Sequence, residues 1–271
     1  MQLIDTHCHL DVAAFDTDRD ALLGRVRTAG VSRIVVPGIT AAAWEKLLAL
    51  CANETGLYPA LGLHPMFLDR HHPDDLQVLE TLIALHKPVA VGEIGLDFYL
   101  PGTNREQQKA LFKAQLHTAH AAGLPVLLHV RKAHDETLAL LRKTRVCGGI
   151  CHAFNGSLQQ ARQYIALGFK LGFGGMLTYQ RSHKLHRLAR ELPLDSMVLE
   201  SDAPDMPPAN HHGQRNSPEY LPEILRALAR LREEDSDTIA VQTTANAIQL
   251  LKLAGAPLLS ATCPTSPQTT P

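Results

Sequence analysis

His7 and His9 flank Cys8 in the opening stretch LIDTHCHLD, directly after a short apolar run. In an extended chain alternate residues share a face, so the two imidazoles point one way and the Cys8 thiol the other. Two imidazoles aimed at one point from a strand end make half of a divalent metal site. Residues of the same chemistry follow later apolar runs: His64, then Glu93 and Asp97, His129, His152, and Glu200-Ser201-Asp202. Taken singly, His64 reads as a turn histidine and His129 as a satisfied core histidine. Glu93, between Gly92 and Ile94, is harder to explain that way, because a buried carboxylate costs on the order of several kcal/mol unless paired or metal-bound. The histidines in helical and loop stretches, His71 and His186 among them, read as solvated.

These residues need a scaffold that gathers chain positions almost two hundred residues apart. Strands are expected near 2–6, 33–37, 58–62, 88–92, 125–129, 149–152, 169–173 and 197–200. Helical spacing lies between them, as over 105–122 and 158–167. Gly30, Gly56, Gly123 and Gly168 stand where helices should end before the next strand. Eight strands separated by helices predict an α/β fold of the (β/α)8 TIM-barrel type, with a doubly wound open sheet as the other architecture this pattern allows. In a barrel every polar residue named above falls on one rim, at the C-terminal strand ends. Residues 218–232 and 237–253 read as two closing helices. The expected organisation is one domain over 1–254 and a disordered Pro/Ser/Thr-rich tail over 255–271.

Composition narrows the function classes. The 271 residues are 45% hydrophobic and 20% charged with a net charge of -1, which suits a globular domain and supplies no global basic field for nucleic acid. Any attraction for a polyanion must come from local charge or bound metal. Five cysteines without a Cys-x-x-Cys pair argue for reduced thiols and a cytoplasmic location, and no apolar run is long enough for a membrane span. No obligate protein partner is evident.

The motifs LIDTHCHLD, ALGLHP, VGEIGLDFY, LLHVRKAHDE, CHAFNGS and LESDAPDMP resemble, in order, those of the TatD family of metal-dependent deoxyribonucleases. The run SLQQA after HAFNG is most similar to the YjjV branch. The resemblance spans residue 1 to about 253 and implies a TIM barrel of the amidohydrolase-like superfamily with a two-metal hydrolytic site. By motif, His7, His9, Glu93 and Asp202 would hold one ion. Glu93 would bridge to a second, held also by His129 and His152, with His64 facing the substrate phosphate. One departure is Arg215-Asn216-Ser217-Pro218, where the family often has Arg-Asn-Glu-Pro; the lost acid bears on substrate contacts in that loop. Val130 after His129 is a second, neutral departure.

Imidazoles with carboxylates suit Zn, Mn, Co or Mg. A bridging carboxylate can hold two ions roughly 3.5–4 Å apart, the spacing used in phosphoester hydrolysis. Asp202 is the candidate to orient the attacking water and accept its proton, with Glu93 and His64 completing the catalytic set. Arg131 and Lys132 are candidates for phosphate contact, and the basic run from Arg181 to Arg190 reads as a solvated helix face. The expected substrate is DNA or an oligonucleotide, cut from a strand end. A hydrolase of a C–N or lactone bond in a small metabolite and a non-catalytic metal-binding scaffold are the alternatives.

Overall fold

Apolar runs and amphipathic stretches alternate along the chain, and each becomes a strand or a helix in turn. In order these are β1 (Leu3–Asp5), α1 (Arg19–Thr28), β2 (Val31–Pro37), α2 (Trp44–Asn53), β3 (Leu57–Leu61) and α3 (Asp75–His86). There follow β4 (Ala90–Asp97), α4 (Arg105–Ala122), β5 (Val126–Arg131), α5 (His134–Lys143), β6 (Gly149–Cys151) and α6 (Leu158–Ala166). The chain continues with β7 (Phe169–Phe173), α7 (His183–Glu191), β8 (Met197–Leu199), α8 (Leu221–Arg232) and α9 (Ser236–Leu251). This computed structural model describes residues 2–253 and Gly255. The rest of the 255–271 segment, expected to be disordered, lies outside the described residues.

All neighbouring strands pair in parallel, in the sequential order β1 to β8. A doubly wound sheet would reverse its strand order midway; this one does not, and the fold is a (β/α)8 barrel. Among the described residues no ladder joins β8 to β1. Individual bonds stitch that seam: the Thr6 amide and hydroxyl donate to the Leu199 carbonyl at 3.1 and 3.0 Å, and the Asp202 amide donates to the His7 carbonyl at 2.8 Å.

Two apolar layers hold the barrel. Ile4, Val35, Ala60, Ala90, Leu127 and Ile150, one from each of the first six strands, form an inner cluster with Val198, which Ala247, Leu251 and Leu253 close from below. The outer strand faces pack on the helices in a larger cluster that includes Trp44, Phe112, Leu116 and Phe169, all buried. Each such side chain contributes roughly 1.5–3 kcal/mol of transfer free energy.

Helix α4 shows how the scaffold reaches the rim. Asn104 caps its start, Gly123 ends it in the left-handed conformation, and Phe112, Leu116 and Ala119 bury one stripe. Two buried glutamines on it brace the loops after β3 and β4. Gln115 exchanges two hydrogen bonds with the Leu63 backbone, at 2.7 and 3.0 Å. Gln108 accepts from the Asp97 amide at 2.8 Å and donates to the Pro65 carbonyl at 3.2 Å.

Strand ends depart from the expected ones where the site begins. β4 was expected to stop at Gly92 but runs on to Asp97, so Glu93 lies within the strand, and β5 continues past His129 to Arg131. β1 stops at Asp5, so His7 and His9 lie beyond the strand. No described helix is long and apolar enough to cross a membrane.

Candidate metal centre

Every residue carried over to the metal site from sequence meets the others at the C-terminal rim. His7 Nε2 lies 3.2 Å from Glu93 Oε2 and 3.3 Å from His9 Nε2. His9 Nε2 is 3.4 Å from the same carboxylate oxygen, and both imidazoles stand 3.8 Å from Asp202 Oδ1. On the other side of Glu93, Oε1 faces His129 Nδ1 at 3.0 Å and the Nε2 atoms of His64 and His152 at 3.3 Å each. Three overlapping donor groups result: His7–Glu93–His152, His7–His9–Asp202 and His64–Glu93–His129, with donor atoms in each within 4.8 Å of one another. Glu93, 1% exposed, is shared by two of them.

The convergence of His7 and His9 has a different cause from strand alternation, since β1 has already ended. Backbone pins fix each residue instead. The His7 amide donates to Asp5 Oδ1, the Cys8 amide to the Val35 carbonyl and the His9 amide to the Ala203 carbonyl. Cys8 is fully buried in the apolar layer, as is Cys151 beside His152. Close backbone approach holds Glu93: Gly95 has φ +145°, and a Cβ there would stand 2.0 Å from the His129 carbonyl oxygen. Only glycine lets β4 pass β5 at that point.

Outer partners decide which nitrogen of each imidazole is free. Asp97 Oδ2 lies 2.9 Å from His129 Nε2. The hydrogen bond to His129, with the Tyr99 amide, outweighs the upward push of burial and keeps Asp97 below its ordinary range. Nε2 therefore donates, and the Nδ1 lone pair is left to the centre. His9 Nδ1 faces the Pro37 carbonyl at 3.3 Å, and a carbonyl takes only a donor, which frees His9 Nε2. His152 Nδ1 stands 3.5 Å from the fully buried Glu200. His64 is wired the opposite way. Its Nδ1 accepts from the Met66 amide at 3.1 Å, so its proton sits on Nε2, facing Glu93.

The protein's own charges set unlike protonation preferences in this small volume. Burial pushes Glu93 up, but His64, His7 and His152 outweigh it and hold the carboxyl well below its usual range. Burial also lowers His9 and His152, yet His9 is held up at about 9 by Glu93 and Asp202, and His152 at about 10 by the same two carboxylates. His7 is held well below its ordinary value by burial and by His152. Burial lowers His64 to about 4 and raises Asp202 to about 6. Buried imidazole and carboxylate donors crowded on shared points fit divalent cations, and the donor set passes that test.

Three carboxylates received no role from sequence although two stand on the rim: Asp97 and Glu200 behind His129 and His152, and Asp5 below the seam. Asp5 Oδ1 accepts from the amides of His7 and Ser201 at 3.2 and 2.9 Å. Each is buried with a hydrogen-bonded backbone neighbour, a signal only coordinates reveal. Two other expectations change. His71 and His186 are not solvated bystanders, because their Nε2 atoms lie 2.9 Å from the His64 carbonyl and 3.0 Å from the Leu177 carbonyl. Lys184 is exposed, as expected of that helix face, and also bonds the Asn155 carbonyl at the rim. In the departing loop, Arg215 clamps Asp18 at 2.7 and 2.8 Å, and Asn216 holds the Ser201 and Asp205 carbonyls at 2.7 and 2.6 Å. That loop braces the Asp202 turn, where Asp202 itself has φ +57°. Arg131 stacks on the Tyr99 ring at 3.6 Å, and Lys132 is exposed beside it.

Two cavities flank the centre. One, of about 490 Å³, is floored by His129, His152 and Asp202 and walled by the residues around β6, β7 and the loop after β8. The other, of about 440 Å³, touches the centre's surroundings at Asp97 and carries Asp69, Asn104 and Gln107.

Comparison with known proteins agrees with this architecture. The model of the TatD related DNase family matches residues 4–252. A curated relative from Escherichia coli K12, the uncharacterized metal-dependent hydrolase YjjV, is 43% identical over 242 residues, covering 88% of this chain and 93% of its own. The 3'-5' ssDNA/RNA exonuclease TatD of Cronobacter sakazakii is 34% identical, covering 92% and 97%. The crystal structure of Escherichia coli YjjV superposes with a TM-score of 0.89 at 42% identity, covering 92% of this chain and 97% of that one.

Proposed function

This chain belongs to the TatD family, and from that premise we propose that it is a metal-dependent hydrolase cutting phosphodiester bonds of DNA at strand ends. The observation that carries the reading is the bridging position of Glu93, whose two oxygens face separate groups of imidazoles. His7, His9, Glu93 and Asp202 would hold one divalent ion, and Glu93, His129 and His152 a second. Such ions supply Lewis-acid charge for the phosphate oxygens and lower the pKa of a water near them. The exonuclease name of the Cronobacter relative supports a nucleic-acid end as the substrate.

The chain's own groups divide the remaining work. Asp202 stands at the rim, 9% exposed, and accepts the proton of the attacking water. His64 carries its proton on Nε2 and is neutral near pH 7, so it donates a hydrogen bond to a phosphate oxygen rather than ligating metal. Arg131 and Lys132, beside the pocket, meet the neighbouring phosphate.

The test pairs metal analysis of the purified protein with a panel of single-stranded and duplex oligonucleotide ends, lactones and cyclic amides, each with defined metals. Cleavage of oligonucleotide ends, with activity and one or both ions lost in Glu93→Ala, is the expected result. Turnover confined to lactones or amides overturns the phosphodiester reading. A Glu93→Ala protein that keeps two ions and full turnover overturns the binuclear one.

A further inference from the structure

The larger cavity differs in chemistry from the centre it opens on. Beyond its floor of His129, His152 and Asp202, its walls are Phe154, Phe173, Met176, Leu177, Leu185 and Met206. Phe154, Phe173 and Leu177 are at most 2% exposed and fixed in the apolar layer, so they form a rigid back wall. Met176, 36% exposed, and the partly buried Leu185 and Met206 stand at the mouth. Glycines let the walls pack closely behind the cavity: a Cβ on Gly172 would lie 2.1 Å from Glu200 Oε2, and one on Gly175 2.2 Å from the Met206 carbonyl oxygen.

Polar groups lie at the edge. Asn155 is already engaged, its Oδ1 facing His134 Nε2 at 3.2 Å and its Nδ2 donating to the Ala153 carbonyl at 3.3 Å. Cations stand beside it: Arg131 lines the cavity, and Lys184 donates to the Asn155 carbonyl. The second cavity is lined by Asp69, Asn104 and Gln107, and among the described residues no aromatic side chain, Arg or Lys lines it. A phosphodiester centred on the donor cluster thus has one apolar, cation-edged side for a substituent.

Resting on the phosphodiesterase reading, we propose that this cavity is a subsite for the nucleobase next to the scissile phosphate, held by apolar contact and without regard to which base it is. At about 490 Å³ the volume falls in the range of small-ligand pockets and suits one nucleoside rather than a run of stacked bases. Methionine at the mouth adapts to rings of different size. Phe154, Phe173, Met176 and Leu177 offer contact area without a donor–acceptor code, so these walls do not tell one base from another.

The experiment uses the full, metal-loaded chain and single-stranded oligonucleotides that are identical except at the cleaved end. One set carries each of the four bases at the terminal and penultimate positions. A second set has an abasic residue at one or the other. Removing the base at one of these positions is expected to lower kcat/KM about tenfold or more, the scale of one base held against a protein wall. The four natural bases there should differ by less than about threefold. The double variant Met176→Ala/Leu185→Ala should cut kcat/KM for the natural end and leave the abasic end little changed. Equal cleavage of natural and abasic ends overturns this inference and leaves the phosphodiesterase reading standing. So does a variant that slows both ends alike. Failure to cleave any oligonucleotide overturns both readings. Thermal melting of the double variant checks that the barrel is intact.

Discussion

At the scale of single residues, the groups behind the imidazoles matter as much as the imidazoles. Asp97 fixes the His129 tautomer through a 2.9 Å contact, and losing such a carboxylate typically lowers metal affinity about 10–100-fold. Asp97→Asn keeps the side-chain shape, so chelator competition should show a loss of that size while the melting temperature of the metal-free protein stays nearly unchanged. Unaltered affinity would remove Asp97 from the site. Asp202→Asn asks about proton transfer. Asn keeps an oxygen for metal but cannot accept the proton, and turnover should fall roughly a hundredfold or more with much of the metal retained. Normal turnover with metal in place would send the proton elsewhere. The six proposed ligands stood among the polar residues that follow apolar runs in the sequence, and the resemblance to the TatD family singled them out. The roles of Asp97, Glu200 and Asp5 were not legible there, because burial and the neighbour each one faces depend on contacts across strands.

At the scale of elements, apolar runs located all eight strands, and the spacing of α4 gave its bounds of 105–122. What periodicity missed was the irregularity at the site. β4 shifts register against β5 between Val91 and Ile94, so Glu93 enters the barrel from inside a strand where an alternation pattern foresees only its end. Gly95 makes this passage possible. A methyl group there adds an unfavourable φ and a collision with the His129 carbonyl, together about 3 kcal/mol or more. Gly95→Ala should then melt on the order of 10 °C lower than the parent. Gly24 is the contrast, a helix glycine whose added Cβ meets nothing within 4 Å. Gly24→Ala should be neutral or stabilising by roughly 0.5–1 kcal/mol. Equal melting temperatures for the two variants would show that β4 can relax around residue 95.

At the scale of the whole molecule, the proposed ligands come from β4 and β5 and from the segments following β1, β6 and β8. They therefore span the one seam that no ladder closes among the described residues. His7 and His9 lie on one side of it and Asp202 on the other, joined by backbone bonds such as Asp202 N–H to His7 O at 2.8 Å. Ions shared between them would bind the closed barrel and not the unfolded chain. That stabilises by about 2.7 kcal/mol for one site at a hundred times its Kd. For a domain of this size the melting temperature should rise roughly 5–10 °C on saturation and fall back on chelation. Hydrogen exchange should localise the effect. Amides of Thr6, His9 and Asp202, which bridge the seam, should lose protection on chelation before those of the β4–β5 pair. Donor groups confined to one side would give a uniform change instead. A melting temperature that does not respond to metal, or protection lost evenly around the barrel, would mean that the seam holds without the ions.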